Sequence, residues 1–222
     1  MPETRGVPFW SAEEIEAALG PTIAHLREGR ILAYPTETVY GFGTMIDRGA
    51  VERLVLMKRR PSSKPFLLLI SDTPMIARLG LDLPSAASML AARHWPGPLT
   101  LVLPGGERRI PERLRGPEGG IAVRWTPHVG LQRLISALGD PITSTSANLP
   151  GVPAAVSSGE ILEQWSAPIG RGELLLLDGG RLPPSEPSTV VDCTGPRPRV
   201  IRPGAVSADT LRESVPNLIG DR

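Results

Sequence analysis

Apolar residues recur along this chain at two spacings, one typical of helices and one typical of buried strands. Ser11 and Glu14 form a capping-box pair just ahead of the first helical pattern, so a helix is predicted to begin at Ser11. Gly20-Pro21 is predicted to break that helix, and a second helical stretch is predicted to continue to Gly29. The sequence therefore predicts two helical segments before the first long strand.

The remaining pattern alternates between short apolar runs and helical segments. Strands are predicted at 31–34, 66–70, 99–103, 121–124, 142–144, 174–177, 189–192 and 200–201. Helices are predicted at 50–57, 85–94, 129–138, 159–165 and 208–215. This alternation predicts a single α/β domain with a twisted, mostly open sheet flanked by helices. Because several late strands follow one another without a helix, the sheet is predicted to be mixed, with parallel and antiparallel pairs.

Glycine and proline are frequent, but they are spread along the whole chain. The 24 glycines and 25 prolines mark many loops instead of one linker, and no shift in composition indicates a second domain. We expect an N-terminal extension at residues 1–10, one main domain at 11–206 and a C-terminal helix or tail at 207–222.

Composition and charge exclude several classes of protein. The 222 residues are 41% apolar and 21% charged, and the net charge of +1 gives no overall attraction to nucleic acid or anionic membrane. Aromatic residues make up 4%, which does not indicate a stacking platform for single strands. The first residues lack a secretory pattern, and no uncharged apolar run approaches the roughly 20 residues that span a bilayer. We expect a cytoplasmic protein with no membrane partner.

Neither the cysteine nor the histidines indicate a metal centre. Cys193 stands alone and is interpreted as a small apolar residue of a strand. His25, His94 and His128 occur at unrelated spacings, so surface or helix-end positions are expected for them. The sequence also lacks the glycine-rich phosphate loops and the nucleophile elbow of common enzyme classes. A metal held by a dedicated protein cage is not expected.

Polar side chains gather instead in short segments at the ends of predicted strands, where open α/β sheets bind ligands. The threonines and glycines of residues 35–43, with Thr38 among them, suit hydrogen bonding and close backbone approach. A glycine-rich turn capped by threonine hydroxyls explains them equally well. Ser144, Ser146 and Asn148 follow another strand, and hydroxyls at alternate positions would point to one side. An ordinary polar loop is the plainer interpretation of that segment.

Cations form a second kind of signal. Lys58, Arg59, Arg60 and Lys64 lie within seven residues, and two prolines stiffen the segment, which suits a triphosphate. Interaction with a helix dipole would explain Lys58 and Arg59 but not Lys64.

Single arginines also end two strands. Arg124 and Arg202 each follow an apolar run, and Ser188 opens the strand that leads to Asp192. An arginine at a strand end is a natural bidentate partner for a carboxylate or a phosphate. A surface arginine is the plainer alternative for either residue alone.

Taken together, these segments resemble the YrdC/TsaC-type threonylcarbamoyl-adenylate synthase family. The matching stretches are PTETVYGFG at 35–43, KRRPSSKP at 58–65, WPGPLTLVL at 95–103, AVR at 122–124, STSAN at 144–148, PSTVVD at 187–192 and IRPG at 201–204. The K-x-R pair Lys58 and Arg60, combined with the S-x-N pair Ser146 and Asn148, is the specific part. The resemblance implies a YrdC-like fold. It also implies condensation of L-threonine, bicarbonate and ATP to threonylcarbamoyl-AMP, for modification of the tRNA adenosine next to the anticodon.

The resemblance further implies a role for each residue. Lys58 and Arg60 would be catalytic; L-threonine would be bound by Thr38, Arg124, Ser144 and Ser188, and ATP by Arg60, Lys64, Ser146, Asn148 and Arg202. Mg²⁺ would arrive with ATP, and the partners would include a downstream tRNA threonylcarbamoyl transferase complex and tRNA itself. Because the basic segment flanks the sheet, Arg60→Ala is expected to abolish adenylate formation and to leave the fold intact.

The sequence departs from the family at three places. Leu69 stands where some members have a polar residue, often histidine, and Pro150 and Ala154 stand where serines are frequent. A different class of function is a non-catalytic RNA-binding protein with a basic concave surface. The interleaved hydroxyls favour a small polar ligand instead. Carbamoyl transfer in metallocentre maturation uses a related domain, but it normally brings cysteine motifs that this chain lacks.

Overall fold

The computed structural model describes residues 6–61 and 64–220. Over these residues the chain forms seven α-helices, one 3-10 turn and ten strands. The strands are β1 (Val7–Pro8), β2 (Ile31–Tyr34), β3 (Gly41–Gly43), β4 (Leu67–Ile70), β5 (Leu99–Leu103), β6 (Ile121–Trp125), β7 (Ile142–Ser146), β8 (Leu174–Asp178), β9 (Thr189–Asp192) and β10 (Arg199–Arg202). The helices are α1 (Ala12–Arg27), α2 (Arg48–Lys58), α3 (Pro74–Arg78), α4 (Ser85–His94), α5 (Val129–Leu138), α6 (Ser158–Gly170) and α7 (Ala208–Ser214), and the 3-10 turn is Glu112–Leu114.

All ten strands belong to one mixed sheet, in the order β1-β8-β2-β3-β7-β4-β6-β5-β9-β10. Parallel neighbours include β2 with β8, β4 with β6 and β5 with β9, whereas β3 runs antiparallel to both β2 and β7. The predicted class, a single α/β domain with an open mixed sheet flanked by helices, is confirmed. Every strand predicted above is present, with ends that differ by at most two residues.

Helix α1 corrects one prediction. It runs without interruption from Ala12 to Arg27, although Pro21 lies inside it. An interior proline removes one hydrogen bond and costs about 3 kcal/mol or more. Pro21 is on the exposed side, where water can reach the freed carbonyl, while Ile15, Ala18, Thr22 and Leu26 form one buried stripe. Burial of that stripe outweighs the local cost, so the helix continues.

Strand β3 is an element that the sequence analysis missed. Its three residues Gly41, Phe42 and Gly43 are all buried between β2 and β7. A Cβ on Gly43 would lie 2.1 Å from the carbonyl oxygen of Thr143, and one on Gly41 would lie 2.9 Å from the ring of Tyr34. The glycines therefore permit close strand packing, which apolar alternation does not reveal.

Both ends of the described chain pack on the domain. Val7–Pro8, which the sequence analysis assigned to an N-terminal extension, pairs with β8, and Phe9 is fully buried in the core. Leu211 of α7 is also fully buried. Among the described residues, no helix combines the length and the apolar character that crossing a bilayer requires.

Candidate active site

A cavity of about 660 Å³ lies across one face of the sheet. Its floor contains one residue from each of six neighbouring strands, all in register, namely Ser144, Leu67, Ala122, Val102, Asp192 and Arg199 from β7 to β10. Residues in register on neighbouring strands point to the same side of a sheet. The site therefore occupies the sheet face and not only the strand ends, where the sequence had placed it.

This cavity brings together most of the residues predicted to bind ligands. Those that line it are Thr38, Arg60, Lys64, Arg124, Ser144, Ser146, Ser188 and Arg202. Lys58 and Asn148 do not line it, and they lie behind Ser146. The structure thus separates the ten predicted residues into eight on the cavity wall and two that support it.

Lys58 is the centre of that support. It ends α2 and is 3% exposed. Its Nζ donates to Thr145 Oγ1 at 3.2 Å, to Asn148 Oδ1 at 3.1 Å and to the carbonyl oxygen of Ser146. Burial, and then the nearby charges of Arg60 and Lys64, lower the pKa of Lys58 to about 7. Asn148 Oδ1 also accepts from the Ser146 hydroxyl at 2.7 Å, so the turn after β7 is fixed from behind.

Arg60 shapes the segment that carries it. Its guanidinium donates to the carbonyl oxygens of Lys64 at 3.0 Å and Pro65 at 2.6 Å and to Thr145 Oγ1 at 2.9 Å, and it lies 4.6 Å from the ring centre of Phe66. Thr145 therefore accepts from both cations of the K-x-R motif, a role that the sequence analysis did not give it. Burial lowers the pKa of Arg60, with Arg113 as a further cause. Arg60 therefore both lines the cavity and holds Lys64, Pro65 and Thr145 together by hydrogen bonds.

Arg124 is buried and forms an ion pair with Glu37. Its side chain is 6% exposed, and its Nη2 lies 3.0 Å from Oε1 of Glu37, a residue that the sequence analysis did not single out. Thr126 Oγ1 donates to the other carboxylate oxygen of Glu37 at 2.9 Å. The Nε atom of Arg124 is buried and has no hydrogen-bond partner among the described residues. The cavity thus contains a fixed guanidinium that retains an unused donor.

Ser188, next to β9, and Arg202, at the end of β10, are joined by hydrogen bonds. Arg202 Nη2 donates to the Ser188 carbonyl oxygen at 2.7 Å and to its hydroxyl at 2.9 Å. The same hydroxyl lies 2.9 Å from that of Thr100. Burial, and then the charge of Arg124, lower the pKa of Arg202. The positive charges of the two arginines therefore repel each other within the cavity.

The segment between β2 and β3 is both a turn capped by a threonine hydroxyl and a part of the cavity wall, the two interpretations made from the sequence. The Thr36 hydroxyl accepts from the backbone N–H groups of Thr38 and Val39 and donates to the Val39 carbonyl, so it caps a turn. The Thr38 hydroxyl lies 3.0 Å from that of Thr36 and lines the cavity. Thr36 holds the turn, and the turn presents Thr38.

One end of the cavity carries charges that the sequence analysis missed. Arg199 lies 3.2 Å from Glu118 and 3.5 Å from Asp192, and all three line the cavity. Of the family departures, Leu69 is fully buried in the core, and neither it nor Pro150 or Ala154 is among the described residues that line the cavity. These departures therefore lie outside the cavity wall.

The cysteine is buried, and the three histidines lie at the ends of helices. Burial, and then the charge of Asp192, raise the pKa of Cys193 to about 12, which leaves the thiol unreactive. His25 lies in the last turn of α1, His94 ends α4 and His128 caps α5, all helix-end positions as expected. Within the described ranges, no group of three or more His, Cys, Asp or Glu side chains is placed to hold a metal ion.

The comparisons with known proteins establish the family. The family model described as "Telomere recombination", which represents the Sua5, YciO and YrdC proteins, matches residues 24–204. The chain belongs to this family. The resemblance found in the sequence is thereby confirmed, and the family domain contains every residue predicted to form the site.

Several named relatives share the domain. The threonylcarbamoyl-AMP synthase of Pyrococcus abyssi is 36% identical over 191 residues, which are 86% of this chain and 55% of that protein. The threonylcarbamoyl-AMP synthase of Chromohalobacter salexigens is 35% identical over 185 residues, which are 81% of this chain and 95% of that protein. This chain thus spans about half the length of the first relative and nearly all of the second.

A solved structure is also similar. The crystal structure of P. abyssi Sua5 complexed with L-threonine matches with a TM-score of 0.85 and 33% identity. The match covers 97% of this chain and 62% of that chain. The family fold described here is therefore one that, in that relative, binds L-threonine.

Proposed function

We propose that this chain is a nucleotidyltransferase that condenses L-threonine, bicarbonate and ATP to threonylcarbamoyl-AMP and pyrophosphate. The observation that carries the proposal is the single cavity that joins four residues suited to an amino acid with four suited to phosphates. Its volume of about 660 Å³ is within the range of small-molecule sites. The relatives named threonylcarbamoyl-AMP synthase support the same reaction.

The amino-acid end would be formed by Thr38, Arg124, Ser144 and Ser188. Arg124 is the group suited to the substrate carboxylate, because a guanidinium offers parallel N–H donors in a fixed plane. The hydroxyls of Thr38, Ser144 and Ser188 are buried and face the same cavity, where they can bond the amine and hydroxyl of threonine. These contacts would hold the amine toward the phosphate end.

The phosphate end would be formed by Arg60, Lys64, Ser146 and Arg202. We infer that Lys58 and Asn148, proposed from the sequence as catalytic and ATP-binding, act by holding Ser146 and Thr145 from behind. The amine joins bicarbonate with loss of water, and a carboxylate oxygen of the resulting carbamate attacks the α-phosphorus of ATP. The bond to the pyrophosphate oxygen breaks as the new P–O bond forms. Catalysis would consist of positioning and charge neutralisation, with no covalent nucleophile.

We propose that Mg²⁺ enters with ATP. Mg²⁺ prefers phosphate oxygens and water with one or two carboxylates, and does not require a dedicated cage. The carboxylates on the cavity wall, Asp192 and Glu118, are already paired with Arg199. The nucleotide phosphates would therefore supply most ligands, and the ion would offset charge on the departing pyrophosphate.

The product would serve a later enzyme. We propose a cytoplasmic protein whose product is passed to a tRNA threonylcarbamoyl transferase complex, which would modify the adenosine next to the anticodon. The alternative, a non-catalytic RNA-binding protein, is not favoured, because Lys58 and Arg124 are 3% and 5% exposed and cannot reach a phosphate backbone.

Direct detection of the product tests the proposal. The purified chain is incubated with ATP, L-threonine and ¹³C-bicarbonate, and threonylcarbamoyl-AMP carrying the label is sought by mass spectrometry. Arg124→Ala is expected to raise the KM for threonine more than the KM for ATP. Absence of the labelled product in the wild type would reject the proposed reaction, and equal effects of Arg124→Ala on both KM values would reject the assignment of the two ends.

A further inference from the structure

Glu37 occupies a position that the proposed reaction leaves unexplained. It lies in the turn between β2 and β3, beside Thr36 and Thr38, yet it is not among the described residues that line the cavity. Its carboxylate is directed to Arg124, with Oε1 3.0 Å from Nη2. Oε1 lacks a linear hydrogen bond in this arrangement, so the contact is mainly an attraction between charges.

The carboxylate is itself held in place. Its Oε2 accepts from the hydroxyl of Thr126, which is fully buried. The Thr126 hydroxyl also accepts from the His128 backbone N–H at 3.2 Å, and the Thr126 carbonyl accepts from Gln132 Nε2 at 2.8 Å. Glu37 is therefore tied, through Thr126, to the residues that lead into α5 and to Gln132 of α5 itself.

Arg124 needs such a partner to keep one orientation. Its side chain is nearly fully buried, and Arg202, which also lines the cavity, carries the same charge. An unpaired buried guanidinium is costly and would turn toward water or toward another acceptor. Glu37 offsets the charge from behind and leaves Nε without a protein partner.

We propose that Glu37 is a positioning residue, which fixes Arg124 so that its guanidinium can receive the carboxylate of the amino-acid substrate. This inference rests on the proposed function. Glu37 acts through Arg124 and does not touch the substrate. Loss of its charge should therefore weaken binding of the amino acid while leaving binding of the nucleotide unchanged.

The test compares L-threonine binding with nucleotide binding in the full chain by calorimetry. Glu37→Gln keeps the size and the acceptor for Thr126 but removes the charge, and it is expected to weaken L-threonine binding about tenfold. The affinity for a non-hydrolysable ATP analogue should stay within about twofold. Glu163→Gln, an exposed glutamate of α6, is the matched control and should change neither affinity. In an Arg124→Ala background, Glu37→Gln should have no further effect.

A second variant guards against misfolding. Thr126→Val removes the hydroxyl that holds Glu37 and is expected to weaken L-threonine binding about threefold. If the wild type binds L-threonine and both variants bind it equally well, Glu37 is not a positioning residue. A parallel loss of L-threonine and ATP-analogue binding would assign Glu37 a structural role instead. A wild type that binds no L-threonine would overturn the proposed function itself, which is a distinct result.

Discussion

The ammonium of Lys58 lies 3.1 Å from the amide oxygen of Asn148 and joins the end of α2 to the turn after β7, ninety positions later in the chain. The same ammonium donates to Thr145, which also accepts from Arg60. The K-x-R and S-x-N motifs are thus halves of one hydrogen-bonded unit, in which Arg60 and Ser146 line the cavity and Lys58 and Asn148 lie behind them. A change in either half should disturb the wall that both support.

The pKa of Lys58 predicts how stability depends on pH. The folded value of about 7 lies below the ordinary 10.5, so between these pH values the unfolded state binds more protons. Lys58 therefore opposes folding most strongly below pH 7, and its opposition is lost as pH rises. We expect the free energy of unfolding of the wild type to increase relative to that of Lys58→Met between pH 6 and pH 9. Urea unfolding at both pH values measures this.

An exposed, uncharged position of the same helix supplies the control for that experiment. Leu56 of α2 is 74% exposed, so the difference between the wild type and Leu56→Met should be the same at both pH values. A difference between the wild type and Lys58→Met that does not change with pH would contradict the burial of a titrating ammonium.

Lysine chemistry also tests where ATP binds. Among the 24 lysines and arginines, Lys58 and Lys64 are the two lysines. Lys64 is exposed on the cavity wall, whereas Lys58 is buried, so an amine-reactive reagent should modify Lys64 and spare Lys58. ATP at ten times its Kd should slow modification of Lys64 about tenfold. Mass spectrometry of the digested protein follows both sites, and the N-terminal amine is an internal reference. Equal rates with and without ATP would place the nucleotide elsewhere.

Arg60 should contribute to stability as well as to activity. Arg60→Ala removes a donor from each of the carbonyl oxygens of Lys64 and Pro65, of which the Lys64 oxygen keeps a longer contact of 3.4 Å from Arg113. The change is expected to cost about 1–3 kcal/mol of unfolding free energy. This replaces the sequence-based expectation of an intact, undisturbed fold. Arg60→Lys keeps the charge but replaces a planar guanidinium, whose three nitrogens each meet a separate acceptor, with a single ammonium, so its turnover should also fall. Thermal unfolding and activity of both variants provide the test. An Arg60→Ala protein of wild-type stability would contradict the claim that the hydrogen bonds of Arg60 stabilise the fold.

The glycines of β3 should be intolerant of side chains. Gly43→Ala would place a Cβ 2.1 Å from the Thr143 carbonyl oxygen, so a shift of β3 is unavoidable and a cost of about 3 kcal/mol or more is expected. Gly159→Ala in the first turn of α6 meets no atom closer than 3.9 Å and should change the free energy of unfolding by less than about 0.5 kcal/mol. Denaturant unfolding of the two variants measures the contrast. Similar effects of both changes would mean that β3 is not packed as described.

The sequence predicted those elements in which local pattern and tertiary packing agree. Helix α5 has five buried residues on one face, and strand β2 is a short buried run, so each was found with its ends. The pattern failed at Pro21, where a buried stripe overrides a local breaker, and at Gly41–Gly43, where close packing replaces apolar alternation. Local preference is a weak guide wherever tertiary contacts decide.

The candidate site shows the same division. Its motifs could be read from the sequence because each lies in one short segment with an unusual density of hydroxyls or cations. The pairing of Glu37 with Arg124 could not, because it depends on which strands become neighbours. The same is true of Lys58, whose position behind the wall follows from the contact of α2 with β7. Residue type indicated the chemistry, and only the fold separated the residues that line the cavity from those that support it.

Pyrophosphate release by the purified chain tests the proposed reaction most directly. The chain is given ATP and Mg²⁺, and L-threonine and bicarbonate are omitted in turn. The proposed condensation predicts release only when both are present, because the carbamate formed from them is the nucleophile that attacks ATP. Release that needs neither compound, or no release with all of them, would contradict the assignment of this cavity to threonylcarbamoyl-AMP synthesis.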